Sequence, residues 1–342
     1  MITVNTLASG GGLINVSGSG FEIGGQYICE VRLNGTSILN ASATQITHNS
    51  FSCVLQSISS PAGEAELQVT QDTDDGSVAL IQISGKPKFD FLTSIDDISV
   101  FSGTAAGGDV ISAYGHGFIP GNQYTAWFYR STEEAVSVTC TTQDHGRLEF
   151  YTPPWRFSAG TTTLSFSTNT GLWNTSHFTF SFSPAVVSVA SSSKTGAGTQ
   201  SVVLVRGYGF NLGATYNLKF YSAENRSQFA EADGKAINAS MIRCVSPLWP
   251  FAAASVRLNV TRNGHAISGN VLPFRFVSEI FSLSPNFGVL QGSLVSMKSA
   301  GLKAQGSYVC TISSNVSVQN VTAWLKPLHH FEQISPERFH NY

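Results

Sequence analysis

Apolar and polar residues alternate along many short segments of this chain. The clearest segments place an apolar or small side chain at every second position, as in Tyr27, Cys29, Val31, Leu33; Tyr124, Ala126, Phe128; Tyr216, Leu218, Phe220; and Tyr308, Cys310, Ile312. Such alternation is typical of β-strands that have one buried face. No segment of useful length has the spacing of an amphipathic helix, so the pattern predicts an all-β protein.

A ten-residue phrase ends at each of these four tyrosines. Its copies are GSGFEIGGQY, GHGFIPGNQY, GYGFNLGATY and SAGLKAQGSY. The glycines that anchor them, Gly20, Gly117, Gly209 and Gly301, are spaced by 97, 92 and 92 residues. That period is too long for a solenoid repeat and matches one small β-domain of about 100 residues. The chain is therefore predicted to be an array of such domains.

A second shared feature follows the phrase in the first three copies. Copies two and three contain TPPWRFSAGTTTLSF and SPLWPFAAASVRLNV, and copy one has the reduced form SSPAGEAELQV. Each then reaches a predicted hairpin turn, at Asp75-Gly76, Thr170-Gly171 and Asn263-Gly264. Asp-Gly and Asn-Gly pairs favour tight hairpins because both residues tolerate positive φ.

This order of features resembles the IPT/TIG family of immunoglobulin-like domains. The shared elements are a Gly-Gly entry, a short strand, the GxGF phrase, a second strand, a proline turn with small residues, and a closing hairpin. Three nearly full copies and a partial fourth cover almost the whole chain. We predict repeats at 1–88, 92–183 and 184–278, a partial repeat at 279–326, and a tail at 327–342.

The resemblance implies tandem immunoglobulin-like sandwiches of the E-set type. The family includes domains of plexins, fibrocystin-like surface proteins, regions beside bacterial polysaccharide enzymes, and rel-type transcription factors. A fold shared this widely leaves function open.

Composition and charge narrow the choice of function. Charged residues make up 12% of the chain and the net charge is −2. Soluble domains usually contain about 25% charged residues. A nucleic-acid partner is not expected, because no window clusters Lys and Arg into the basic stripe that phosphate binding needs.

The sequence contains more N-glycosylation sequons than chance predicts, about twice as many. They begin at Asn15, Asn34, Asn40, Asn174, Asn225, Asn238, Asn259, Asn315 and Asn320. A Ser/Thr-rich chain generates some sequons by accident. However, Asn15 and Asn259 each lie between two apolar strand residues, so alternation points both asparagines outward. The pattern favours the secretory pathway, and thus an extracellular or cell-surface location.

Five cysteines bear on the same question. Cys29 and Cys53 both have the inward phase of their strands, and a bridge between them would stabilise the first sandwich by about 3 kcal/mol. Plexin-type members of the family look similar here, and two reduced core cysteines are the alternative. Cys244 repeats the position of Cys53, but Leu218 replaces Cys29. For Cys140, Cys244 and Cys310 we favour small buried side chains over intermolecular pairing.

Several motifs look like catalytic or ligand sites but have a simpler interpretation. The GxGxxxG spacings precede strands, whereas a dinucleotide site needs a helix N-terminus, so they are turn glycines. The acidic residues Asp72, Asp74 and Asp75 lack the distal Glu of a calcium loop. His329-His330 has no third ligand nearby, and His116 occupies a variable phrase position. We expect no enzyme activity, no cofactor and no metal site.

A candidate contact patch lies in the second copy. Trp127 and Tyr129 have the opposite phase to Tyr124, Ala126 and Phe128, so one set faces away from the core. Outward aromatic residues can form a contact surface for a protein or a sugar. Packing against a neighbouring repeat explains them equally well. Trp155 and Trp249 recur at one place in two copies, which indicates a structural role.

The ends of the chain complete these expectations. The sequence opens within the first predicted strand without a secretion signal, and no run reaches the roughly 18 apolar residues of a membrane span. The fourth copy lacks its proline turn and final hairpin. We expect a fragment of a longer repeat protein, serving as a non-enzymatic extracellular binding, adhesion or receptor segment with a protein or glycan partner. The alternative is a carbohydrate-binding accessory region of a larger secreted enzyme.

Overall fold

Every regular element of the described structure is a β-strand. A computed structural model describes residues 2–5, 12–57, 60–73, 77–83, 88–169, 177–285, 294–313, 318–325 and 332–334. No helix occurs within these ranges. The all-β fold expected from the alternating pattern is therefore confirmed.

The strands form four sheets, each made of consecutive strands, and we number the corresponding repeats 1 to 4. Repeat 1 contains β1 (Ile2–Asn5), β2 (Leu13–Ser17), β3 (Gln26–Leu33), β4 (Thr36–Thr44), β5 (Ser50–Val54), β6 (Gly63–Asp72), β7 (Val78–Ile81) and β8 (Lys88–Phe91). Repeat 2 contains β9 (Ser94–Ile98), β10 (Ser102–Thr104), β11 (Val110–His116), β12 (Tyr124–Tyr129), β13 (Ala135–Asp144), β14 (Arg147–Tyr151), β15 (Gly160–Thr168) and β16 (His177–Ser183).

The remaining strands belong to the other two repeats. Repeat 3 contains β17 (Ala185–Val189), β18 (Lys194–Gly196), β19 (Val202–Tyr208), β20 (Thr215–Ser222), β21 (Phe229–Asn238), β22 (Met241–Val245), β23 (Ala254–Arg262), β24 (His265–Ala266), β25 (Ser268–Gly269) and β26 (Leu272–Val277). Repeat 4 contains β27 (Glu279–Ser284), β28 (Val295–Ala300), β29 (Tyr308–Ser313), β30 (Val318–Leu325) and β31 (Glu332–Ile334). The exact domain boundaries stay a prediction.

The chain divides into two compact units. The first unit comprises Met1–Trp155 and Gly160–Phe182, and the second comprises Arg156–Ala159 and Ser183–Tyr342. Repeats 1 and 2 thus form the first unit, apart from the four-residue segment and Ser183, the last residue of β16. Repeats 3 and 4 belong to the second unit together with that segment.

One long strand in each full repeat joins the two layers of the sandwich. In repeat 2, residues 135–140 of β13 pair with β12, and residues 141–144 pair with β14. Strand β4 of repeat 1 passes from β3 to β5 in the same way, and β21 of repeat 3 passes from β20 to β22. The bent strand lets one hydrogen-bonded path wrap around a core, as the immunoglobulin-like fold requires.

In repeats 1 to 3 the alternating apolar residues face the core, as the sequence predicts. The apolar positions of β3, β12 and β20 are buried, and the positions between them are half-buried or exposed. Repeat 4 departs from the pattern, because Ile312 on β29 is 57% exposed. Its described core is small, with Met297 and Ala323 as the buried residues. The inward position predicted for Ile312 is therefore wrong.

The two recurring tryptophans have the same structural role. Trp155 stacks on Phe182 with ring centroids 4.7 Å apart and planes 7° apart, and Trp249 stacks on Phe276 with the same two values. Both indoles are buried. An aromatic pair of this kind adds about 1 kcal/mol beyond the area that it buries.

The ten-residue phrase forms a turn that its tyrosine closes. Gly20, Gly117, Gly209 and Gly301 all have φ between 74° and 82°, a region that favours glycine. The tyrosine hydroxyl at the end of each phrase accepts a hydrogen bond from the backbone N–H five residues before it. These bonds measure 2.8 Å at Tyr27, Tyr124 and Tyr216, and 2.6 Å at Tyr308. The fixed glycine-to-tyrosine spacing thus follows from one repeated contact.

Two expectations about turns and the tail have different outcomes. The Asn263-Gly264 turn is confirmed, since both residues have positive φ and Arg262 pairs with His265. Within the segment predicted as a tail, Glu332–Ile334 forms strand β31 between β28 and β30. The predicted turns at Asp75-Gly76 and Thr170-Gly171, together with Asp74 and His329-His330, lie outside the described residues.

Candidate binding surface

Trp127 and Tyr129 form a stacked pair on the outward face of β12. Their ring centroids are 5.9 Å apart and their planes differ by 16°. Both side chains are half-buried, whereas Phe128 between them is fully buried. Trp127 Nε1 donates a hydrogen bond of 3.0 Å to the Ser167 hydroxyl on the neighbouring strand β15. Stacking and the hydrogen bond fix the two rings, and we call this pair the aromatic patch.

Small side chains surround the aromatic patch. Strand β12 lies between β13 and β15, so each ring has one neighbour on either side. The residues directly opposite the two rings are Ser137, Ser165, Ala135 and Thr163. None of them is large enough to cover an indole or a phenol ring. The patch therefore combines apolar ring surface with flanking hydroxyl groups.

The corresponding faces of repeats 1 and 3 are charged. In repeat 3, Lys219 replaces Trp127, and its Nζ lies 3.6 Å from the centroid of the Phe229 ring and 3.4 Å from Glu231 Oε1. In repeat 1 the matching strand carries Glu30 and Arg32, whose charged groups are 3.6 Å apart. Among these three described faces, the uncharged aromatic patch belongs to repeat 2 alone.

Seven of the nine sequon asparagines lie in the described residues, and all seven are exposed. They are Asn15, Asn34, Asn40, Asn225, Asn238, Asn259 and Asn320. Asn174 and Asn315 lie outside the described residues. Asn259 stands on the outward face of β23, and Asn15 stands on that of β2. Their accessibility agrees with glycosylation, which stays a prediction.

Two of these sequons adopt a compact local turn. The Asn225 side-chain oxygen accepts hydrogen bonds from the backbone N–H and the hydroxyl of Ser227. Asn238 accepts the same two bonds from Ser240. In both turns the hydroxyl of the sequon serine is held against the side-chain oxygen of the asparagine.

Cys29 and Cys53 are joined by a disulfide in the core of repeat 1. Their Cα atoms are 6.3 Å apart, and both residues are fully buried. The bridge links β3 of one layer to β5 of the other. The pairing expected from the inward phases of the two strands is confirmed.

Cys140 and Cys244 are buried free thiols. Burial raises the pKa of each thiol to about 12. A thiol with so high a pKa is neutral at physiological pH and poorly nucleophilic. Both therefore act as small core side chains, as the sequence indicated, and Cys310 on β29 is partly buried.

The structure gives no geometry for a metal centre within its described part. No group of three or more His, Cys, Asp or Glu side chains there is arranged to hold a metal ion. His116 Nε2 lies 3.4 Å from Asp96 Oδ2 in a partly exposed pair. No described helix is long and apolar enough to cross a membrane.

The fold and this surface define a class of protein: tandem immunoglobulin-like sandwiches with an outward aromatic patch on one member. The family model of the IPT/TIG domain matches residues 93–182. The match covers repeat 2, which carries the aromatic patch.

Matches among solved structures were also found. One is a tetra-tandem repeat from the extending region of a large adhesion protein, at 16% identity and a TM-score of 0.28, covering 94% of this chain and 85% of that one. Another is the full extracellular region of plexin A4, at 12% identity and a TM-score of 0.25, covering 95% and 33%. A third is a Bacteroides ovatus protein, SGBP-B, in complex with a mixed-linkage heptasaccharide, at 14% identity and a TM-score of 0.22, covering 79% and 71%. A search of the curated proteins finds no match.

Proposed function

We propose that this chain is a non-enzymatic binding segment of an extracellular or cell-surface protein, and that the aromatic patch of repeat 2 contacts its partner. The patch carries the proposal because Trp127 and Tyr129 are held rigidly on an otherwise small, uncharged face. Rigid aromatic residues lose little conformational entropy on binding, and they supply much of the energy at protein interfaces.

The disulfide and the exposed sequons support an extracellular location. Disulfides persist in oxidising compartments and are rare in the cytosol. Exposed asparagines in Asn-x-Ser/Thr are accessible to the glycosylation machinery of the secretory pathway. The proposal therefore predicts glycans at Asn15 and Asn259 when the chain is secreted from eukaryotic cells behind a heterologous leader. Mass spectrometry that finds both sites empty would count against it.

The partner of the patch is proposed to be a protein. The two rings stack on each other, so each offers its edge and one face, beside serine and threonine hydroxyls. A partner surface that mixes apolar side chains with backbone groups satisfies both features.

Adhesion of cells to surfaces coated with the full chain tests this function. Trp127→Ala should reduce adhesion at least tenfold, because removing a central aromatic anchor typically costs about 2 kcal/mol or more. The matched control is Tyr151→Ala, which removes a 60% exposed aromatic residue from β14 in the other layer of the same repeat. Equal loss of adhesion in both variants, or no loss in Trp127→Ala, would contradict the proposal.

The second candidate is a carbohydrate-binding accessory region, and the same patch favours it. Aromatic rings flanked by hydroxyl groups can also hold a sugar. Binding of the full chain to a glycan array, abolished by Trp127→Ala and kept by Tyr151→Ala, would select this function. An array without binding, combined with adhesion that depends on Trp127, would select the protein partner.

A further inference from the structure

The same backbone hydrogen bond recurs within both compact units, each time from a small-residue turn to a phrase glycine. The first donor, Ala62, belongs to the proline turn of repeat 1, and its N–H donates to the carbonyl of Gly117 in the phrase of repeat 2, at 2.9 Å. Ala253 donates to the carbonyl of Gly301 in repeat 4, at 2.7 Å. Within the second unit, Ala159 donates to Gly209 at 2.9 Å. The phrase glycine thus has one further role, as the acceptor for the preceding turn.

A hydroxyl group reinforces two of these bonds. Thr93 Oγ1 donates to the Gly117 carbonyl at 3.1 Å, and Ser278 Oγ donates to the Gly301 carbonyl at 3.0 Å. Each hydroxyl lies directly ahead of the first strand of its repeat, β9 or β27. The connecting segment therefore contributes to the same contact as the turn.

Gly20 in repeat 1 has the same conformation but a different environment. Its φ is 80°, like those of the other phrase glycines. Gly117 and Gly209 are buried, whereas Gly20 is exposed, and no described residue donates to its carbonyl. A Cβ atom at Gly301 would lie 2.8 Å from Ala197 Cβ and 3.5 Å from Ala253 Cβ. A Cβ atom at Gly20 would have nothing within 4 Å.

We propose that the face around Gly20 is a docking surface for the small-residue turn of another IPT/TIG-type repeat joined ahead of Ile2. Continuity with the three occupied contacts identifies this occupant. A second copy of this chain fits less well, because its three described donor turns are already used by its own repeats. The inference is independent of the aromatic patch.

The strand register shows how such a repeat would connect. Ile98 pairs with Ala113 in repeat 2, and Ala113 lies four residues before the phrase glycine Gly117. Ile2 pairs with Val16, which lies four residues before Gly20. Ile2 and Ile98 are therefore equivalent, and a segment ending at the equivalent of Asp97 would enter repeat 1 in register.

A fusion of the full chain tests the docking surface. Residues 1–97 are duplicated directly ahead of Ile2, and Ser60→Thr in the added copy gives its turn peptide a distinct mass. Deuterium uptake at the Ala62 amide is then followed by mass spectrometry. In the fusion the added turn should exchange about as slowly as the resident turn, because both amides are hydrogen-bonded and covered.

Matched glycine variants separate docking from backbone strain. Gly20→Ala in the resident repeat should speed exchange at the added turn about tenfold or more, because a Cβ atom at the equivalent Gly301 would lie only 2.8 Å from Ala197 Cβ in the repeat before it. Gly24→Ala also places a side chain at positive φ in open space, and its equivalents Gly121 and Gly213 stay exposed in the other repeats. Gly24→Ala should leave the protection intact.

Three results would overturn the proposal. The added turn could exchange fast in every fusion, Gly24→Ala could match Gly20→Ala, or the unfused chain could dimerise with protection at Gly20. A second fusion, with residues 92–188 ahead of Ile2 and Ala159 as the donor, provides an independent trial if the first misfolds. Lack of protection at that turn as well would equally overturn the proposal.

Discussion

Repeat 3 lacks the disulfide of repeat 1 by a single residue, and the substitution Leu218→Cys should restore it. Leu218 has the place of Cys29, as each pairs with a valine on the next strand, Val260 or Val69. Cys244 has the place of Cys53, because each lies opposite the strand that precedes the phrase of its repeat, β19 or β2. A Cβ atom at Gly234 would lie 2.8 Å from Leu218 Cδ1 and 3.0 Å from Cys244 Cβ. The side chains of Leu218 and Cys244 therefore both lie close to Gly234.

Two opposing terms set the magnitude. Replacing the fully buried leucine by the smaller cysteine should cost about 2 kcal/mol in the reduced protein. Closing a loop slightly longer than that between Cys29 and Cys53 should return about 3 kcal/mol. The oxidised variant should thus be slightly more stable than the wild-type protein, and reduction should lower the Tm of this repeat by more than about 10 °C.

The assay combines peptide mapping with thermal unfolding, each with and without reductant. The map should show the introduced thiol linked to Cys244. Lys219→Cys is the control, because it places a thiol on the same strand but on the outward face, where no bridge to Cys244 can form. The wild-type protein corrects for reduction of the bridge in repeat 1. A Cys244 thiol that stays free in oxidised, folded Leu218→Cys would refute the equivalence of the two repeats.

Two further predictions concern buried groups. Tyr216→Phe removes the acceptor of the Asn211 N–H and should lower the free energy of unfolding by about 1–2 kcal/mol. Tyr308→Phe removes the same bond at an exposed place and should lower it by less than about 0.5 kcal/mol. Equal losses in urea denaturation would contradict this difference. Burial raises the pKa of the Cys140 thiol to about 12, above that of the unfolded chain. Its contribution to stability is complete below about pH 8.5 and is lost as the pH rises toward 12, by at most about 1.4 kcal/mol per pH unit. Cys140→Ala should remove this contribution and leave that of Cys244, whose pKa is also raised to about 12 by burial. An unchanged slope of stability between pH 8 and 11 in Cys140→Ala would disprove the assignment.

Alternation and repetition made the core of this fold predictable. Cys29 and Cys53 could be paired from the sequence because each shows its inward phase among apolar neighbours. A period-two pattern indicates which face of a strand is buried. Comparison of the copies then separates the positions that recur from those that vary by chance. The burial predicted for Ile312 in repeat 4 was wrong, because its exposure depends on how few strands cover it. Strand β31 was not predicted, because a segment of only three residues is too short to show an alternating pattern.

The contacts that were missed involve backbone groups and single hydroxyls. The bond from Ala62 to Gly117 leaves no mark on hydropathy, since any residue except proline carries the N–H. A signal existed in the alanine that recurs at one place in each proline turn, at Ala62, Ala159 and Ala253. The tyrosine hydroxyl was also overlooked, although its fixed distance from the phrase glycine was plain. The fixed spacing alone does not show that the tyrosine hydroxyl, rather than its ring, makes the repeated contact within each phrase.

The disulfide of repeat 1 has a mechanical consequence for a chain under tension. If the repeats are pulled from their ends, repeats without a bridge can extend over their whole length. Repeat 1 cannot, because the 24-residue separation between Cys29 and Cys53 stays closed by a covalent bond. At about 3.4 Å for each extended residue, the contour length that repeat 1 releases on rupture is shorter by roughly 80 Å. Reducing conditions would restore that length, so the extensibility of this one repeat depends on the redox state of its surroundings.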